Sequence, residues 1–346
     1  MKQSILLLFC LMFGLAACSD PNDNQEINDP AAESDNGPAK EVPTIDQPEY
    51  AYPLTGVEAE AEVTDRVIAV MVNNHSDARP QTGLSQADII FEILSEGNIT
   101  RFMALYQSDI PEQVGPVRSA RPYYVDLAQK YDAIYIYHGA ANFIEDMIQA
   151  EATESLNGMY YDNDHVLFER STDREAPHNS YVWFDGIYQY AEDQGFPLEA
   201  NYTSLPFLYG GGSINGEDGS EISYAYDSTN QIRYQYDTEL EQYYRYSDGE
   251  QTVEYEDQQP VTLDNVFFVE AEHQVMDKEG RREIDLESGG DALLLQRGKV
   301  QHVQWEQNDG KIVPTKDGEP VPFIPGQTWI NIIPTDKGID QVKWTP

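Results

Sequence analysis

The chain reads as an α/β (α+β) N-terminal sandwich domain followed by a mainly antiparallel, β-rich C-terminal domain. Three observations carry this reading. Up to residue 212, strand-like apolar runs alternate with helices of 3.6-residue period. After it, short strand-like runs follow one another between turn signals. Between the two lies Gly210-Gly211-Gly212-Ser213-Ile214-Asn215-Gly216, the most flexible stretch of the folded part.

Residues 1–17 have the pattern of an export signal: a basic start at Lys2, an unbroken apolar run from Ile5 to Phe13, then Ala16 and Ala17. The run is too short to cross a hydrocarbon core of roughly 30 Å as a helix, so cleavage rather than anchoring is expected. Leu15-Ala16-Ala17-Cys18 resembles the lipobox of bacterial lipoproteins, which makes Cys18 the lipidated mature N-terminus. The expected location is the outer face of the cell membrane. Cys10 leaves with the signal, so the mature chain has no free thiol, which excludes disulfides, thiolate catalysis and cysteine metal sites. Residues 18–50 follow as an acidic linker. From Ser19 to Tyr50 there are nine acidic residues, one lysine and five prolines, too little apolar surface to fold. Such a spacer extends.

Residues 51–212 form the expected α/β domain. Val67–Val72, Asp88–Ile93, Arg101–Tyr106 and Ala133–Tyr137 read as strands. Ala120, Tyr124, Leu127, Ala128 and Tyr131 share one face of a helix, with further helices at Asn142–Ala150 and Ile187–Asp193. Residues 213–346 form the expected β-rich domain. Its strands are Ile222–Tyr226, Ile232–Tyr236, Tyr243–Tyr246, Val266–Glu270, Ala292–Gln296, Val300–Trp305 and Thr328–Ile333.

Charge bounds the partners. With 61 acidic against 21 basic residues the net charge is −40, which repels nucleic acid phosphates. No nucleic acid partner is expected, and the acidity suits solubility in a saline or alkaline habitat. Phosphate-loop, dinucleotide, nucleophile-elbow and zinc-protease signatures are all missing, and no cofactor is implied.

The few cations are placed selectively. Between His75 and His178 stand six arginines (Arg79, Arg101, Arg118, Arg121, Arg170, Arg174), one lysine (Lys130) and four of the six histidines. Arginine's rigid fork suits phosphate or carboxylate; pairing with the abundant acids is the plain alternative. In Gly115-Pro116-Val117-Arg118-Ser119-Ala120-Arg121-Pro122, Ser119 is read as a helix N-cap with Pro122 in the first turn. Arg118 and Arg121 then flank a helix N-terminus, whose free N–H groups favour an anion. Arg79, Arg101, His75 and Asn179 complete the expected ligand-binding set. His138, at a strand end, and His178, in the polar loop 170–179, are the candidate general acids or bases. His75-x-Asp77 offers two metal-type ligands without a third at a telling distance, so no metal is read from it. Asp88 is a candidate metal ligand or a turn cap.

Asn73-Asn74-His75, Ala78-Arg79-Pro80-Gln81, Ala87-Asp88-Ile89, Glu96-Gly97-Asn98-Ile99-Thr100-Arg101, the 115–121 stretch and Ala176-Pro177-His178-Asn179 resemble, in order, the YerB-like lipoproteins of Gram-positive bacteria. The resemblance implies a two-domain extracytoplasmic protein and, the family being of unknown function, no catalytic residues. The Ala87-Asp88-Ile89, Arg101 and Arg118-Ser119-Ala120-Arg121 order is also loosely similar to LytR-CpsA-Psr wall-polymer transferases, which implies a polyprenyl phosphate as the ligand class. The function expected is an anchored binding or assembly factor of the envelope, recognising an anionic ligand or a protein partner. The alternative is an enzyme acting on a phosphate-linked glycan or polyprenyl phosphate.

Overall fold

A computed structural model describes residues 47–346. The signal peptide, Cys18 and all but the end of the acidic linker lie outside the described residues. No helix among the described residues is long and apolar enough to cross a membrane.

A 12-stranded mixed sheet organises the fold. From one edge its order is Glu319–Pro320, Lys311–Lys316, Lys299–Asn308, Gly290–Gln296, Asn265–Ala271, Thr328–Pro334, Ile89–Leu94, Thr100–Tyr106, Ile68–Asn73, Ile134–Tyr137 and Ser155–Asn157, with Glu217–Asp218 beside Lys299–Asn308. Most neighbours are antiparallel. Thr328–Pro334 instead lies parallel to strands on both sides, Ile89↔Thr328 and Asn265↔Thr328 being in register. Ile68–Asn73 lies parallel to Ile134–Tyr137. The sheet is thus continuous across the N- and C-terminal segments, joined at one strand from the end of the chain.

Two cores lie on its two faces, because successive side chains along a strand point to opposite sides. Ala69, Met71, Phe91 and Leu105 pack with helices α1 (Pro122–Lys130) and α2 (Asn142–Ala150). Ile68, Val70, Val72 and Ala104 pack on the other side against α3 (Phe184–Gln194) and a second, six-stranded sheet. That sheet holds Glu221–Ala225, Gln231–Asp237, Gln242–Ser247 and Lys343–Thr345 among its strands. Cover on both faces is why the central strands are apolar at nearly every position rather than alternating. In the second sheet burial does alternate, one face on the core and one on solvent.

The expected strands of both segments are present, each shifted by a residue or two, and so are all three helices. Three ends differ. The N-cap of α1 is Arg121, with no side-chain cap bond, and Pro122 is N1; Ser119 stands outside the helix, its carbonyl taken by the Arg101 guanidinium at 2.7 Å. Helix α3 starts three residues earlier than the pattern suggests and stops at Gly195, which takes the left-handed C-cap conformation at φ 76°. Ser155–Asn157, Phe168–Arg170, Ser180–Trp183 and Lys311–Lys316 are strands that the apolar pattern does not announce.

Asp88, just before Ile89–Leu94, is buried, and both its oxygens face Ser108, whose N–H and hydroxyl donate to them. Burial raises its pKa to about 7, against the opposing bonds from Ser108. A carboxyl with a raised folded pKa binds its proton more tightly folded than unfolded, so stability falls as pH rises from about 4 to about 7. At about 1.36 kcal/mol per unit, the loss is on the order of 4 kcal/mol. Asp88→Asn should remove this slope: its urea midpoint should exceed wild type at pH 8 and match it near pH 4.5. An unchanged difference across that range would contradict the assignment.

Candidate functional site

The 115–118 turn is a junction. Asn73 N–H donates to Pro116 O at 2.8 Å, Val117 N–H to Ser180 O at 2.6 Å, Arg118 N–H to Met71 O at 3.0 Å, and His138 N–H to Arg118 O at 3.0 Å. One short segment is therefore clamped between the ends of three strands. Gly115 is required here, since a Cβ would lie 2.5 Å from the Tyr181 ring. The clamp brings Arg118 beside the 73–80 loop and the 171–179 loop, at the carboxyl ends of the parallel strands Ile68–Asn73 and Ile134–Tyr137.

Asp77, Arg79, Arg174 and His178 line this cleft, with His75 against His178 and Arg118 beside it at Pro177. His75 and His178 stack with ring centroids 4.7 Å apart. Asn73 touches both residues: its Oδ1 accepts the backbone N–H of His75 at 3.0 Å and its Nδ2 lies 2.8 Å from the His178 ring at Nδ1. Arg174 donates to the carbonyls of Asp77 and Pro80 and sits 4.6 Å over the Tyr255 ring. An open cavity of about 460 Å³ is lined by Asp77, Arg79, Arg174, Pro177, His178 and Tyr255 among others.

The arginines divide by what they already hold. Arg79 is tied to Asp248 at 2.7 Å and to Asn74. Arg101 and Arg121 both grip Glu96, Arg101 at 3.0 Å. The anion expected beside the start of α1 is thus supplied by the chain itself, and Arg121 turns away from the cleft. Arg118 differs. It is half-buried, its one hydrogen bond is a long 3.4 Å to Pro177 O, and among the described residues no carboxylate pairs with it. Burial, and then Arg101, push its pKa down.

His138 lies next door and is fully engaged. Its Nε2 is 3.2 Å from an Arg170 Nη, which can only donate, so Nδ1 carries the proton and donates to Ser180 Oγ at 2.7 Å. Ser180 is an acceptor in this pair, not an activated nucleophile. Arg170 in turn holds Asp162 and Asn179 Oδ1, so Asn179 serves the loop rather than the cleft. Burial and Arg170 lower the His138 pKa. The His178 pKa is lowered by burial, His75 and Arg118. Asp88 is buried against Ser108, apart from this cleft. Of the residues singled out in the sequence, the fold gathers His75, Arg79, Arg118 and His178. It sends Arg101, Arg121 and Ser119 to the Glu96 clamp. Asn73 and Tyr255 complete the cleft without having been singled out as ligand residues, and Asp77 had been weighed only with His75 as half of a metal pair; the polar Asn73-Asn74-His75 run directly after an apolar strand is a signal that pointed there.

Comparison with known proteins follows the same lines. Residues 54–197 match the N-terminal domain, and residues 222–330 the C-terminal domain, of a family described as protein of unknown function DUF3048. A Bacillus subtilis (strain 168) protein named "Putative lipoprotein YerB" is 46% identical over 285 residues, covering 82% of this chain and 86% of that one. The crystal structure of the YerB protein from Bacillus subtilis superposes with a TM-score of 0.79 at 42% identity, covering 86% of this chain and 99% of that one. The two matched segments, the length of the relative and the shared fold together show that the chain belongs to the DUF3048 family of two-domain proteins, with a β-rich C-terminal region.

Proposed function

We propose that the chain is a lipid-anchored protein of the outer membrane face whose cleft at the 73–80 and 171–179 loops binds an anionic, phosphate- or carboxylate-bearing ligand of the envelope without transforming it. One observation carries this reading. In a chain with 61 acidic and 21 basic residues, Arg118 is held half-buried without a carboxylate partner among the described residues. A guanidinium kept unpaired beside His178 and Arg174 is suited to a ligand's charge-assisted hydrogen bonds. The Ser180–His138 pair supplies the enzyme alternative with no activated nucleophile, because its proton sits on the wrong nitrogen for general-base activation. Lipid on Cys18 would hold the cleft near polyprenyl phosphates, which gives the ligand class a source.

Calorimetric titration with inorganic pyrophosphate and with a short-chain polyprenyl phosphate tests the reading. Binding should weaken about 10–100-fold in Arg118→Ala, the effect of losing one hydrogen bond to a charged group. Arg121→Ala, whose side chain is occupied by Glu96, should bind as wild type. Equal affinity in wild type and Arg118→Ala, or no binding to either probe, would refute it, and turnover of the polyprenyl phosphate would replace it with the enzymatic alternative.

A further inference from the structure

We propose that His75, Asp77 and His178 form a divalent-metal site, with zinc the fitting ion, at the mouth of the same cleft. The donor atoms of the three lie within 4.8 Å of one another, the one such group of histidine and carboxylate ligands among the described residues. Sequence spacing offers two ligands, His75 and Asp77, on one short turn; the fold supplies the third, His178, from a distant loop. Asn73 lies under both loops: its Oδ1 accepts the backbone N–H of His75, and its Nδ2 is 2.8 Å from His178 Nδ1.

A tetrahedral zinc with bonds of about 2.0–2.1 Å places its ligands roughly 3.3 Å apart, so the site closes by side-chain rotation alone. The loops permit this: the His75 side chain is 38% and Asp77 70% exposed. Asp173 and Glu175 line the same cavity and offset the charge of Arg174. Two imidazoles and one carboxylate suit zinc and leave at least one coordination position open. That position faces a cleft bordered by Arg118, so an anion there would meet a metal and a guanidinium together. The metal site stands on its own ligand geometry; only this last step rests on the proposed function.

The test uses the purified full chain stripped with a chelator, re-equilibrated with zinc chloride and analysed for bound metal by mass spectrometry. One zinc per chain is expected, with cobalt in its place giving the visible absorption of a low-coordinate nitrogen-ligated ion. His75→Ala and His178→Ala should each weaken zinc at least about tenfold in competition with a chromophoric chelator, the lower end of what disturbing a metal site costs. The double variant should abolish stoichiometric binding while its circular dichroism and melting temperature stay those of wild type. Substoichiometric zinc in wild type, or full retention by the double variant, overturns the site. Titration with inorganic phosphate, with and without zinc, separates the two readings. Zinc without phosphate binding leaves the metal site and removes the anion ligand. Phosphate binding through Arg118 in protein that takes up no zinc does the reverse.

Discussion

Arg245→Ala should destabilise the protein by about 3–5 kcal/mol, the cost of leaving one partner of a buried ion pair uncompensated. Arg245 and Glu92 are 1% and 0% exposed and meet at 2.8 Å. Every remaining acceptor direction of Glu92 is used: Thr100 Oγ donates at 2.9 Å, Trp329 Nε1 at 3.0 Å and Asn74 Nδ2 at 3.4 Å. Arg245 also donates to Thr252 at 2.9 Å and lies 4.5 Å over the Trp329 ring. Glu92 belongs to the central sheet, Arg245 to the second sheet and Trp329 to the joining strand, so the network pins three parts of the chain together. Against a total stability of about 5–15 kcal/mol the single substitution is severe. The paired change Glu92→Leu/Arg245→Met removes both charges and should recover most of the loss, as buried pairs replaced by apolar groups commonly do. Urea unfolding of the three variants decides it, and a single-variant loss below about 1 kcal/mol would show that the pair is solvated after all.

Neither half of the chain should fold alone. Residues 51–212 produced without 213–346 lose the Thr328–Pro334 strand, on which Trp329, Ile330, Ile332 and Ile333 are buried to within 1%. At about 1.5–3 kcal/mol for each large apolar side chain, these four contribute roughly 6–12 kcal/mol, comparable to the whole stability of a domain. The separate 51–212 fragment should show a molten, uncooperative thermal profile, and mixing with 213–346 should restore a single transition. A cooperative transition with dispersed amide resonances in the isolated fragment would show that the joining strand is dispensable. On this view the glycine run near residue 212 marks where two sequence modules meet, and the folding unit spans both.

The elements were legible because their causes are local. Ile68–Asn73 and Ile89–Leu94 are apolar but for Asn73 and Glu92, and Tyr124, Leu127 and Ala128 repeat at helical spacing, so each element announces itself. The short strands Phe168–Arg170 and Ser180–Trp183 do not, since they are mixed in polarity and become strands by pairing with each other and, for Ser180–Trp183, with Gln113–Val114. What joins the sheet was illegible for a related reason: Glu92 meets Trp329 across 237 positions, and no periodicity encodes a partner at that distance. At the site, the concentration of arginine between His75 and His178 was visible, but its division was not. Glu96 stands in the same stretch as Arg101, and nothing in the spacing reveals that it takes Arg101 and Arg121 while leaving Arg118 alone. His75 and His178 were each noticed for their loops; their stacking is a tertiary contact that no spacing reveals.

The position of the Thr328–Pro334 strand also sets a timetable. A chain threaded from its N-terminus exposes Ile89–Leu94 long before the strand that covers it has emerged. Throughout that interval one side of this apolar strand is an open hydrogen-bonding edge, ready to pair with a neighbouring chain. Completion waits for almost the last residues, so the whole polypeptide must arrive before its centre can close. A stop after residue 334 would keep the central strand and lose the Lys343–Thr345 edge of the second sheet, whereas one before residue 328 would leave the middle of the main sheet open to aggregation.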